Sequence, residues 1–195
     1  MKQAIFIDKD GTLIENMPGN LDPARIRFTP GALDGLWRLQ QAGWALVIVS
    51  NQPALGEGRF TPDAFLRAQR GLVARLREEG GIQLTGFYAC PHRPEDGCRC
   101  RKPAPGMLQL AAVRHRIALD RSWMVGDILD DVEAGRRAGC RTVLLDVGNE
   151  TEWKFGELRL PDQLCSGLDE VAEFVLAQAA EDHVTTTNNH LSFAT

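Results

Sequence analysis

The sequence predicts an α/β protein, a doubly wound parallel sheet with helices on both faces. Two observations carry that expectation. Short apolar runs alternate with stretches whose apolar residues recur at helical spacing, along most of the chain. The polar clusters richest in chemistry also stand at the ends of those runs or just beyond, at Asp8/Asp10, Ser50, Lys102 and Asp127. Ligands of such sheets sit outside the carboxyl ends of the strands, so the clusters fall where the fold needs them.

Taken in order, residues 4–7 are apolar throughout and read as a buried strand. The stretch 15–29 contains Met17-Pro18-Gly19-Asn20 and Asp22-Pro23, turn signals that place a surface loop over the strand end. Pro30-Gly31 opens a helix carrying Leu33, Leu36, Trp37 and Leu39 and closing at Gly43. Residues 45–49 form the second strand, followed by Ser50-Asn51-Gln52-Pro53 and a loop over 54–59. Thr61 is an N-cap with Pro62 at the first helical position, and that helix runs to Gly80-Gly81. Residues 87–89 make a short third strand leading to a cysteine cluster and Arg101-Lys102-Pro103. A helix after Pro105, a strand over 123–125, a helix over 130–138 and a strand over 142–145 complete the alternation. The result is a Rossmann-like sheet. The domain is assigned to 1–177, and the polar stretch 178–195 reads as a frayed tail.

The chain has 195 residues, enough for one well-buried domain and short for two. A formal charge of −4 gives no electrostatic reason to expect nucleic acid. No apolar run is long enough to span a membrane and no signal peptide is visible, so a cytoplasmic location is expected, with a monomer as the default. Of five cysteines, three fall close together as Cys90, Cys98 and Cys100, a pattern that favours metal over disulfides. Cys140 reads as a small buried hydrophobe, and Cys165 lies in a late loop or short element.

Asp8 and Asp10, two apart on an extended backbone, point the same way. Such a pair is either a solvated acidic turn or a nucleophile beside a general acid/base with a divalent metal between them. Asp127 adds a third carboxylate suited to Mg²⁺, or else caps the following helix. Ser50 offers a hydroxyl to a phosphate oxygen or serves a turn, and Lys102 offers a compact charge or is solvated. The cluster Cys90-x-His92 followed by Cys98-x-Cys100 supplies three thiolates and one imidazole, a closed tetrahedral set for a structural Zn²⁺. A redox Cys-x-Cys pair would leave Cys90 and His92 idle, and a nucleic-acid zinc knuckle would want aromatic company that the loop lacks.

The order Asp8-x-Asp10-Gly11-Thr12, Ser50, Lys102, Gly126-Asp127-x-x-x-Asp131 resembles the haloacid dehalogenase-like phosphatase superfamily over roughly residues 3–147. The resemblance implies Asp8 as nucleophile, Asp10 as acid/base, and Ser50 and Lys102 on the phosphate. It implies Mg²⁺ held by Asp8, Asp127 and a backbone carbonyl of Asp10, with Asp131 nearby or acting through water. Cys-Pro-His-x-Pro leading to Cys-x-Cys-Arg-Lys-Pro is similar to the heptose-bisphosphate phosphatases, with histidinol-phosphate phosphatases as close relatives. Both lack a large cap domain. This implies a small phosphorylated metabolite as substrate, most nearly a heptose bisphosphate, contacted by Arg101 and with Asn51 at the phosphate end. Histidinol phosphate, or a module that binds a phospho-ligand without hydrolysing it, are the alternatives. The chain departs from that pattern at Pro53-Ala54, where Ser-Gly is usual, and at Glu57, where arginine is usual. Arg59, or Arg25 or Arg27 from the first loop, are the cations expected to substitute for it.

Overall fold

In the computed structural model, which describes residues 1–17 and 19–191 and side chains as far as residue 182, six strands form one sheet in the order β3-β2-β1-β4-β5-β6. They are β1 (Ala4–Ile7), β2 (Ala45–Asn51), β3 (Gly86–Cys90), β4 (Trp123–Gly126), β5 (Arg141–Leu145) and β6 (Gln163–Cys165). All neighbours are parallel, with Ile7 in register with Ile48 on one side and Val125 on the other. The chain steps from β1 outward to β3, then returns to lay β4 against β1. The strand order therefore reverses between β1 and β4, the crevice where such sheets bind ligands.

Alternation along the strands divides the core. Ile5, Ile7, Leu46, Ile48, Val125 and Val143 point to one face, where α1 (Ala32–Gln41), α3 (Pro62–Gly80) and α6 (Leu168–Leu191) supply Leu36, Leu39, Leu72, Leu76, Val171 and Val175. Ala4, Phe6, Val47, Val49 and Met124 point to the other, covered by Met107, Leu108 and Ala111 of α4 (Gly106–His115) and Ala134 of α5 (Leu129–Ala138). Strands buried on both faces need no polar alternation, which is why β1 and β2 are apolar runs.

Three local differences from the expected elements stand out. Residues Pro53–Gly56 form a single helical turn, α2, because Pro53 has the fixed φ that a first helical position takes. A sixth strand closes the far edge at Cys165, giving that residue a buried place in the core. The helix α6 continues past residue 177 to Leu191, so the polar stretch is helical where a frayed tail is expected; residues 192–195 lie outside those described. Among the described residues, no helix is long and apolar enough to cross a membrane.

The contact between α1 and α6 is a close one. A Cβ on Gly35 would stand 2.1 Å from the Leu168 carbonyl oxygen, a backbone atom that cannot rotate away. Gly35→Ala gains up to about 1 kcal/mol of helix propensity but forces the helices apart, at a cost of roughly 1–3 kcal/mol. The clash should win, and urea unfolding should show a lower midpoint.

Candidate active site

Asp8 follows β1 directly, its N–H donating to Val125 O at 2.9 Å across the switch point. Asp127 follows β4, and Asp131 sits in the first turn of α5. The parallel pairing of β1 with β4 thus forces carboxylates from two strand ends and one helix start into a single crevice. Oxygens of Asp8, Asp127 and Asp131 lie within 4.8 Å of one another. All three side chains are buried: the residues are 7%, 4% and 1% exposed.

One cation answers them. Lys102 is 2% exposed; its Nζ bonds an oxygen of Asp8, stands 2.6 Å from Asp131 Oδ1, and donates to Val49 O at 3.1 Å. Burial works against the ammonium, yet the charges of Asp131 and Asp8 overcome it and hold its pKa above the ordinary lysine value. Burial pushes Asp8 up to about 7, with Asp131 and Asp10 adding repulsion and Lys102 pulling the other way. Asp127 and Asp131 are also raised, first by burial and then by neighbouring carboxylates. One ammonium is too little for three acids. Among the described residues Asp131 Oδ1 is met by that ammonium alone, and a hard divalent ion that takes oxygen ligands fits this donor set.

Neutral donors orient Asp127. Thr12 Oγ1 donates to one of its oxygens at 2.8 Å and Asn149 Nδ2 to the other at 2.8 Å. Gly11 has φ +92°, and a Cβ there would fall 2.2 Å from Asp127 Oδ2, so the turn after the acid pair requires glycine.

Asp10 is not one of the three clustered carboxylates. Its side chain accepts from Lys9 Nζ at 2.6 Å and from Gln52 Nε2 at 2.7 Å, and the same Gln52 nitrogen donates to Ser50 Oγ at 2.8 Å. Gln52 therefore ties the expected acid/base to the expected phosphate holder. Asp10 also lines a cleft of about 320 Å³ between the loops 15–27 and 52–60. Arg25 and Arg27 line it as well, and among the described residues neither is engaged in an ion pair or side-chain hydrogen bond. Arg59 also reaches it but is bonded to Glu57 through Nε at 2.6 Å.

Two expected substrate contacts also bond the protein's own backbone. Asn51 donates to Lys102 O and accepts from Lys102 N, both at 3.1 Å, so its amide clamps the lysine backbone, while its second N–H remains for a ligand and the residue lines the cleft. Arg101 does not line the cleft; its guanidinium donates to His92 O at 3.2 Å and folds back on its own loop.

That loop is gathered on Cys90, His92, Cys98 and Cys100, whose donor atoms lie within 4.8 Å of one another. Sulfur–sulfur separations are 3.2–3.6 Å, and His92 Nδ1 is 3.4 Å from Cys90 Sγ and 3.3 Å from Cys100 Sγ. The edges of a tetrahedron around zinc with bonds of about 2.3 Å are near 3.8 Å, so the four atoms are spaced as such ligands are. Burial raises the Cys98 thiol, but the Arg101 and Cys100 N–H groups and the other thiols bring it down to about 7; burial pushes Cys90 up to about 12.

Sequence comparison agrees with this geometry. A HAD-hydrolase-like family model matches residues 99–171. A D-glycero-beta-D-manno-heptose-1,7-bisphosphate 7-phosphatase of Bordetella bronchiseptica is 34% identical over 178 residues, covering 90% of this chain and 98% of that one. The chain belongs to the HAD-like phosphatases. A Pasteurella multocida protein of the same name is 37% identical, covering 76% of this chain and 84% of its own. The crystal structure of a B. bronchiseptica D,D-heptose 1,7-bisphosphate phosphatase with magnesium and phosphate superposes with a TM-score of 0.76 at 32% identity, covering 91% and 99% of the two chains. This HAD-like phosphatase is a phosphoric monoester hydrolase with a six-stranded parallel sheet and a cysteine–histidine loop.

The raised Asp8 pKa has a definite sign. In chelator, folded Asp8 holds its proton between 3.8 and about 7 while the unfolded chain has released it, so this group's contribution to stability falls as pH rises through that window. The difference in unfolding free energy between the parent protein and Asp8→Asn should therefore change steadily from pH 4 to 7, in favour of the variant. A difference independent of pH would refute it.

Proposed function

We propose that this enzyme is a Mg²⁺-dependent phosphatase of a heptose bisphosphate, releasing the phosphate distal to the anomeric carbon through an aspartyl-phosphate. The observation that carries the chemistry is the buried Asp8–Lys102–Asp131 cluster with Asp127 beside it. The substrate rests on the named relatives and on the cleft beside Asp10, whose two unengaged arginines suit a leaving group that carries a second phosphate.

Asp8, Asp127 and the backbone carbonyl of Asp10 would hold the metal, with Asp131 nearby or acting through water. When bound, Mg²⁺ supplies the positive charge that three carboxylates and a phosphate need together. Asp8 Oδ attacks phosphorus as the ester P–O bond breaks, and Asp10 gives its proton to the departing alkoxide. Asp10, now a carboxylate, takes a proton from water, which attacks the same phosphorus and returns Asp8 with release of phosphate. Ser50 and Lys102 hold the phosphoryl oxygens, and Gln52 keeps Ser50 and Asp10 in a fixed relation. A Zn²⁺ on Cys90, His92, Cys98 and Cys100 would have no open position and would act on structure alone. The reading carries with it a cytoplasmic monomer whose partner is a small metabolite rather than nucleic acid or a membrane.

Phosphate release in Mg²⁺ from heptose 1,7-bisphosphate, histidinol phosphate and fructose 1,6-bisphosphate tests the substrate. A preference of about a hundredfold for the heptose, or ~2.7 kcal/mol, is expected; a preference for histidinol phosphate would overturn the assignment. Asp8→Asn should abolish turnover, since an amide cannot form the acyl-phosphate. Arg25→Ala/Arg27→Ala should raise KM for the bisphosphate about tenfold or more and leave a sugar monophosphate unaffected. Cys98→Ser, measured by melting and zinc content, should lose both metal and stability.

A further inference from the structure

Asn149 and Glu150 belong to none of the four sequence motifs, and their segment follows β5 rather than any strand that carries a motif residue. Gly148, at φ +81°, turns the chain back toward β4. Asn149 Nδ2 then donates to Asp127 Oδ2 at 2.8 Å and approaches Gly11 O at 3.5 Å. The next residue grips the other end of the same unit. Glu150 Oε2 accepts from Leu129 N, the first residue of α5, at 2.7 Å, and its Oε1 accepts from Glu152 N at 2.7 Å. The α5 N-terminus is thereby capped from outside, two residues before Asp131.

We propose that Asn149 is a positioning residue for the Asp127 carboxylate that sets the affinity of the site for a divalent cation, with Glu150 as the anchor that keeps it in place. The reasoning is electrostatic. Asp127 shares a crevice with Asp8 and Asp131, and among the described residues no lysine or arginine pairs with it; Lys102 is spent on the other two. Without a cation, nothing of opposite charge fixes the orientation of the Asp127 carboxylate. Among the described residues two neutral side-chain donors do so instead, Thr12 on one oxygen and Asn149 on the other. With both oxygens held, the carboxylate waits in one orientation, and the ion does not have to order it on binding. Without the Asn149 donor, part of the binding free energy goes into recovering that orientation.

Glu150 explains why an exposed loop can do this. A donor on a freely moving loop would hold nothing. The bond to Leu129 N fixes the segment to α5, which itself carries Asp131, and the bond from Glu152 N holds the Glu150 side chain within its own turn, so that one short stretch braces Asp127 directly and the helix of Asp131 through its cap. Asn149 also lines an open cleft of about 300 Å³ with Gly11, Thr29 and Leu145, so trimming it leaves no buried void.

The inference rests on reading the carboxylate cluster as a Mg²⁺ site, and the test separates the two. Thermal-shift titration with MgCl₂ alone, without substrate, should give the parent protein a saturable rise in melting temperature. Asn149→Ala should fold normally and need about five to twenty times more Mg²⁺ to reach half of that rise. The Mg²⁺ concentration for half-maximal turnover should move by a similar factor, while kcat at saturating Mg²⁺ stays within about twofold. Glu150→Ala should show the same shift together with a lower melting temperature in chelator, and Glu150→Gln, which keeps an acceptor for Leu129 N, should recover most of both. If the parent protein shows no Mg²⁺ response, the metal reading fails. If it responds and Asn149→Ala has an unchanged midpoint, or a tighter one, the positioning role is refuted.

Discussion

The structure depends on an imbalance: three buried carboxylates, Asp8, Asp127 and Asp131, served by the single ammonium of Lys102. Burying one unpaired charge costs several kcal/mol, which a marginally stable domain does not tolerate without a return. The cost is imposed by topology. A parallel sheet that reverses order between β1 and β4 must set the ends of those strands side by side. Acids placed at both ends, and in the first turn of the helix that follows β4, cannot avoid one another. Raised carboxylate pKa values are the visible strain. A divalent cation and a phosphate bound together, as proposed above, would convert that strain into binding, because each would neutralise what the other leaves over.

Delivery of Lys102 is the second constraint, since no strand of the crevice carries it. It comes from the connection after β3, and two devices bring it in. Asn51, at the end of β2, holds the Lys102 N–H and carbonyl at once. The Cys90–Cys100 cluster shortens the preceding loop, with Arg101 N donating to Cys98 Sγ at 3.3 Å. Cys90 is itself the last residue of β3, paired in register with Asn51. The zinc-type cluster and the amide clamp thus act on the same rung of one strand pair, and the ammonium is placed by backbone geometry rather than by its flexible side chain.

Much of this was legible in the sequence, for physical reasons that differ by element. Strands β1, β2 and β4 could be read because burial on both faces removes polar residues from them. The site acids could be read because a charge at the end of such a run has no structural excuse. β6 was missed because it has three residues, and its middle one, Leu164, faces solvent. The length of α6 was hidden because its polar second half carries no apolar stripe to count. For Asn51 and Arg101, sequence order shows that a polar side chain is near a site but not which way its hydrogen bonds run, so the clamp on Lys102 and the bond to His92 O appear only in the structure. Gln52 and Asn149 escaped for the same reason: a neutral amide becomes informative only when its partners are known. For Gln52, the proximity to Ser50 was the available signal; for Asn149 there was none.

Separate halves of the crevice answer separate demands. On the β4 side, Asp127, Asp131, Asn149 and α5 are coupled by short, buried or part-buried bonds, and a shift in one displaces the rest. On the β2 side, the cleft is bounded by loops whose charges are exposed and, at Arg25 and Arg27, uncommitted. The loop above β1 is not slack, however: Glu15 N donates to Arg27 O at 2.9 Å and Thr29 N to Leu13 O at 3.1 Å, closing its base like a short hairpin. Asp10 lies on the boundary between these halves, its oxygens taken by Lys9 and Gln52. In the mechanism proposed above, a leaving group in the cleft meets Asp10 along the wall those loops form. The Glu57–Arg59 pair closes on itself there and bonds none of Asp8, Lys102 or the α5 cap. Contacts to a leaving group and the phosphoryl chemistry thus draw on separate parts of the fold, one on loops and the other on the sheet.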